Sequence, residues 1–161
     1  CAPRTVDLSS LVAGQQIILR WRSMPIFVVR RTAKILEGLQ SSNLLEKLRD
    51  PHSESRQQPS YARNWSRSIS PDYLVLVGIC THLGCIPSFS PQMGSLMQAT
   101  PGGYLCHCHG SKYDLAGRVF KNVPAPFNLP VPPHHYFADA KLRLGETPPG
   151  QKFDFDSIAQ V

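Results

Sequence analysis

Cys106-His107-Cys108-His109-Gly110-Ser111-Lys112-Tyr113-Asp114 alternates cysteine with histidine over four residues. Upstream, Cys80-Thr81-His82-Leu83-Gly84-Cys85 has a related composition. One pattern fits both: C-x-H in the first box and C-x-x-H in the second, with 23 residues between His82 and Cys106. Each box then supplies one thiolate and one imidazole. Four such N/S ligands suit either zinc or a two-iron cluster, and ligand count alone does not choose. One cysteine is left over in each box, Cys85 and Cys108. A structural zinc site has no need of them. Two loops carrying a metal group at their tips, with little secondary structure beneath, would gain from a cross-link, and a disulfide there requires an oxidising compartment.

Outward from the boxes, the flanks read as strands. Tyr73-Leu74-Val75-Leu76-Val77 leads into the first box as a buried strand. Gln16 to Arg22 and Pro25 to Arg30 read as two strands around a turn at Ser23-Met24. From Thr32 to about Arg49 the apolar residues Ile35, Leu36, Leu39, Leu44, Leu45 and Leu48 fall at helical spacing, broken near Ser41-Ser42-Asn43, which predicts two short helices. Residues 50–71 are rich in Ser, Arg, Pro and Gln and read as a long loop. Residues 136–138 and 141–144 close as a hairpin around Asp139-Ala140. The tail from Gly145 carries little signal.

The whole chain, 161 residues, fits one domain from which a smaller subdomain has grown. We expect a base formed by 1–77 and 134–161, with the helical insertion at about 32–49, and a loop-built metal-binding subdomain at 78–133. Proline is abundant, 15 residues or about 9% against a usual 5% or so, which favours a loop-rich β fold. The net charge of +6 comes from basic residues that are scattered, so they read as a solvated surface rather than a nucleic-acid face. A cationic face could still steer an acidic protein partner. No segment has the roughly 18 consecutive apolar residues of a membrane span. The start at Cys1, without methionine or signal peptide, reads as a processed end in preference to a lipidation site.

Together CTHLGC and C-x-CHGSxYD resemble the two cluster-binding boxes of the Rieske iron–sulfur proteins, more narrowly the Rieske subunits of the cytochrome bc1 complex (quinol–cytochrome c oxidoreductase). The likeness runs from about Val6 to Leu144 and includes Trp21–Arg31, LVGICTHLGC and Val123-Pro124-Ala125-Pro126-Phe127-Asn128-Leu129. The helical insertion resembles the bacterial form. The resemblance implies an all-β antiparallel sandwich and a [2Fe–2S] cluster as cofactor. It implies Cys80 and Cys106 on one iron, His82 and His109 on the other, and a Cys85–Cys108 disulfide. Ser111 would donate to a bridging sulfide and Tyr113 to a ligand sulfur. Leu83 would cover the cluster and touch the quinol site, with Gly84 and Gly110 in the cluster loops. Pro124, Ala125 and Pro126 would form a third wall. His107 stands where the family usually has proline, and is expected to be a bystander.

The same resemblance implies a function. Ubiquinol on cytochrome b would give up an electron and a proton, and cytochrome c1 would receive the electron. His82 and His109 would be the catalytic groups touching quinol, each with a second ring nitrogen left to exchange a proton. A membrane-anchored full-length chain at the periplasmic face of the bacterial inner membrane is implied as well. The ligand set suits this role. Four thiolates would leave the oxidised site doubly negative, whereas two thiolates and two neutral imidazoles leave it neutral and easier to reduce. Rival readings are a Rieske subunit of another oxidoreductase, such as arsenite oxidase, a Rieske ferredoxin, and a zinc-stabilised binding module. His52, His134 and His135 read as surface or loop residues, and Met24, Met93 and Met97 as packing. No Ser/His/Asp arrangement, catalytic carboxylate pair or phosphate-binding loop is present.

Overall fold

Consecutive side chains of two central strands enter opposite cores, and this alternation organises the molecule. In the computed structural model, which describes residues 2–160, β3 (Met24–Arg30) pairs antiparallel with β4 (Tyr73–Val77), Ile26 opposite Val77 and Val29 opposite Leu74. Phe27, Val29, Leu74 and Leu76 point into one core; Ile26, Val28, Val75 and Val77 point into the other. A strand covered on both faces needs a continuous apolar run, which is what 73–77 provides. Cys1, and with it the reading of the chain's start, lies outside the described residues.

The second core is closed by a three-stranded sheet in which β9 (Lys141–Leu144) lies between β1 (Arg4–Asp7) and β8 (His134–Ala138). Leu142 and Leu144 of β9 pack there against Val28 and Val75. β2 (Gln16–Trp21) completes the central sheet beside β3. The turn between them is Arg22-Ser23, both at positive φ, one residue earlier than the sequence indicated. Two left-handed residues give the hairpin the twist its strands need. Arg22 is supported from both sides, by the Trp21 ring 4.5 Å away and by Asp156 at 3.2 Å.

On the first core sit both short helices, α1 (Ala33–Leu39) and α2 (Ser42–Leu45), and a third sheet of β5 (Ser88–Ser90), β6 (Gly103–Leu105) and β7 (Lys112–Asp114). Thr32 caps α1 by accepting from the Ile35 amide at 3.1 Å. Leu39, Leu44 and Leu48 are fully buried beside Tyr104 and Tyr113. Phe27 stacks on Tyr104 with ring centres 5.1 Å apart, a pairing worth about 1 kcal/mol beyond its area. All sheets are antiparallel, and the fold is all-β with a short helical insertion.

Three expectations need correction. The arginines are not all solvated: Arg31, Arg67 and Arg118 are buried. Arg31 donates to the Pro71, Ser66 and Leu115 carbonyls and to the Ser68 hydroxyl. Arg67 donates to the carbonyls of Ala116 and Leu129. Arg118 meets Asp114 at 2.8 Å with neither side chain exposed. Burial lowers Arg31 to about 10 and Arg67 to about 9, so both stay charged at neutral pH. Residues 50–71 are indeed mostly irregular, but they are drawn inward because their carbonyls, the Ser68 hydroxyl and the Gln58 side-chain oxygen accept from these cations. His134 is also fully buried, its Nδ1 2.8 Å from the Pro132 carbonyl. Met93, expected to pack, is 58% exposed.

Candidate metal centre

The two boxes fold into the same turn. In the first, the Gly84 amide donates to the Cys80 carbonyl (3.1 Å) and the Cys80 amide to the Cys85 carbonyl (2.7 Å). In the second, the Gly110 amide donates to the Cys106 carbonyl (2.9 Å) and the Cys106 amide to the Ser111 carbonyl (2.8 Å). Each is one helical turn ended by glycine at positive φ, +87° at Gly84 and +82° at Gly110. The left-handed exit costs an L side chain roughly 1–2 kcal/mol, and glycine avoids it.

Matching turns bring the boxes face to face. Cys85 and Cys108 form a disulfide with Cα atoms 6.6 Å apart. Cys80 and Cys106 are the free cysteines among the described residues, both buried. Burial, with the neighbouring Cys80, pushes the Cys106 thiol up. A metal would reverse that preference by binding the thiolate. The His82 and His109 rings meet edge to face with centres 4.7 Å apart. His82 is half-buried and His109 exposed. The Cys106 sulfur also lies within 4.8 Å of Cys85 and Cys108. Those two sulfurs are bonded to each other, so that triplet cannot supply three thiolates.

Around the thiols, the polar contacts have direction. The Tyr113 hydroxyl donates to Cys80 Sγ at 3.2 Å and accepts from the Thr81 amide at 3.1 Å. Burial raises the Tyr113 phenol well above its ordinary value, so it remains a donor. Ser111 Oγ accepts from the Ala125 amide at 3.0 Å, which leaves its own proton for another acceptor. Thr81 Oγ1 donates to the Phe127 carbonyl at 2.6 Å. The segment 124–127 is thereby tied to both boxes, with Pro124 exposed, Ala125 buried and Pro126 between. At the opposite, outer end Leu83 is 70% exposed. His107 is exposed too.

Sequence reasoning missed two residues here. Thr81 carries no ligand chemistry, and only its place inside the first box could have marked it. Gln160 lies in the tail and gave no signal, yet its amide donates to the carbonyls of Thr81 and His82.

His82 Nδ1 is the observation that tests whether a metal group fits. It is buried and has no hydrogen-bond partner. A buried imidazole nitrogen normally finds one, and an orphan on a ring that meets a second imidazole, on loops that carry two free thiols, fits a ligand. The residues fit. Two free thiols and two apposed imidazoles on loops joined by the disulfide make a mixed sulfur and nitrogen donor set that a metal group could use.

Comparison with known proteins narrows this. Residues 59–133 match the family model of the Rieske [2Fe-2S] domain. The ubiquinol–cytochrome c reductase iron–sulfur subunit of Allochromatium vinosum is 49% identical over 147 residues, covering 90% of this chain and 70% of that protein. The subunit of the same name from Bradyrhizobium diazoefficiens is 40% identical, covering 89% and 72%. Among solved structures, the soluble domain of the Rieske protein II of Sulfolobus acidocaldarius superposes with a TM-score of 0.51 at 17% identity, covering 94% of this chain and 83% of that one. A chain titled hyperthermophilic respiratory Complex III gives 0.52 at 24%, covering 86% and 71%. These two likenesses concern the fold alone. The chain belongs to the Rieske iron–sulfur subunits of the ubiquinol–cytochrome c reductases, oxidoreductase subunits that transfer electrons with a [2Fe–2S] cluster as cofactor. No helix among the described residues is long and apolar enough to cross a membrane.

Proposed function

We propose that Cys80 and Cys106 bind one iron of the cluster and that His82, through Nδ1, and His109 bind the other. The apposed imidazoles and the two free thiols of the cross-linked loops, with Nδ1 of His82 buried and unpaired, carry this reading. When bound, the cluster supplies one-electron chemistry, with imidazole ligation favouring the reduced state. The Tyr113 hydroxyl, aimed at Cys80 Sγ, stabilises the extra negative charge on that sulfur. Ser111, with its proton free, would do the same toward a sulfur of the bound cluster. The disulfide holds the two loops in register, and Pro124, Ala125 and Pro126 shield the inner side from water.

At the outer end, His82 and His109 keep their second ring nitrogens for the substrate. Either can accept a hydrogen bond from ubiquinol and hold the proton released with the electron. The exposed Leu83 supplies the apolar contact for a quinone-sized ligand and for cytochrome b. The electron then leaves to cytochrome c1. This places the site at the periplasmic face of a bacterial inner membrane, on a chain anchored there as part of the complex. Residues 78–133 are the cluster-bearing unit and 1–77 with 134–161 its base.

Low-temperature EPR of the purified protein after adding ascorbate tests the reading. A rhombic signal with average g below the free-electron value is the expected result. A signal seen with dithionite and absent with ascorbate points to a low-potential ferredoxin instead. Silence with both, in a metal-loaded protein, leaves zinc.

A further inference from the structure

The segment 155–160 returns to the first box and lies against the peptide that carries His82. Phe155 anchors it, buried with its ring edge-on to Trp21 at 5.2 Å. Arg56 guides it onward: its guanidinium donates to Ser157 Oγ at 2.9 Å and its carbonyl accepts from the Ala159 amide at 2.8 Å. Gln57, whose side chain is fully buried, then pairs with the backbone of Gln160 in both directions. Gln57 Nε2 donates to the Gln160 carbonyl at 2.6 Å, and Gln57 Oε1 accepts from the Gln160 amide at 2.8 Å. Fixed in this way, the Gln160 side chain donates from Nε2 to the Thr81 carbonyl and, at 3.5 Å, to that of His82. Both partners are carbonyls, so the group facing them must be the NH2.

We infer that Gln160 is a positioning residue for the cluster: its amide fixes and polarises the Thr81–His82 peptide and so sets the orientation and electronic environment of the His82 imidazole. This rests on the assignment of His82 as an iron ligand. A donor bonded to the carbonyl of a peptide makes that peptide's N–H a stronger donor, and the N–H here belongs to His82. The added positive potential favours the reduced cluster. Gln160 touches neither metal nor substrate and acts only through this peptide.

The holoprotein carrying Gln160→Met tests this, because methionine keeps the length and the backbone pairing with Gln57 while removing the donors. The expected result is a lower midpoint potential and shifted EPR g values, with far-UV circular dichroism and melting temperature close to those of the parent. Phe155→Ala is the comparison variant and should lower the melting temperature through lost packing. Gln160→Lys, which restores an N–H donor, should recover part of the potential. If Gln160→Met leaves potential and g values unchanged, or raises the potential, the inference is overturned. His82→Ala separates the two questions: retention of the Rieske signal there sinks the ligand assignment itself, whereas its loss beside an unchanged Gln160→Met sinks the inference alone.

Discussion

The loops at Cys80–Cys85 and Cys106–Ser111 have one backbone and two settings. Both close the same turn between cysteine and glycine. In that turn His82 occupies the second place after the cysteine and His109 the third, and the disulfide cysteines sit in the fifth and second places. The second loop grows directly from the β6–β7 hairpin, where the register Leu105↔Lys112 holds its base. The first hangs between β4 and β5, and is held by Thr81, Tyr113 and the tail. A turn supplied by local sequence is therefore not enough to place a ligand. One loop borrows its rigidity from a sheet ladder and the other from side chains that arrive from far along the chain.

The chemistry should erase this difference. His82→Ala and His109→Ala are each expected to abolish the visible absorbance and EPR signal of the cluster, and a cluster surviving either change would show the two loops to be unequal as ligands. Below the second loop, Arg118→Met should destabilise the protein by about 3–5 kcal/mol in urea unfolding, because Asp114 is left as a buried charge without its partner. A cost near that of a surface arginine would show that this support is dispensable. Cys85→Ser with Cys108→Ser removes the tie between the loops and should cost about 2–4 kcal/mol. Its second signature is faster loss of the cluster on dilution.

Acid probes the scaffold rather than the loops. Burial depresses His134 to about 4 from an ordinary 6.5. The unfolded chain therefore binds the proton more readily, and stability is full above the ordinary value and lost as pH falls toward the folded one. Between about pH 8 and pH 5 the apoprotein should lose about 2 kcal/mol from this residue alone, and His134→Asn should flatten the profile. The smallest effects sharpen the likeness of the turns. Gly84→Ala and Gly110→Ala should each cost roughly 1–2 kcal/mol, since no neighbouring atom obstructs either Cβ and only the positive φ is strained. Unequal costs would mean that the two turns differ more than their hydrogen bonds indicate.

Much of this was legible in the chain. The two boxes carry the ligand types and the turn glycines within six residues each, and ligation and turn formation are local properties of spacing. The continuous apolar run of β4 announced a buried strand, and the helical spacing after Thr32 indicated α1 and α2. Only the tertiary structure decided that Arg31, Arg67 and Arg118 lie inside, that His134 is buried, and that Gln160 reaches the first box. A charged or polar side chain is buried when distant carbonyls and carboxylates are brought around it. Arg31 takes partners from Ser66 and Leu115, and Gln160 from Thr81, and no pattern around any of these residues encodes the partner. Local spacing nominates the side chains that could hold the cluster, and long-range packing decides what holds their loops still.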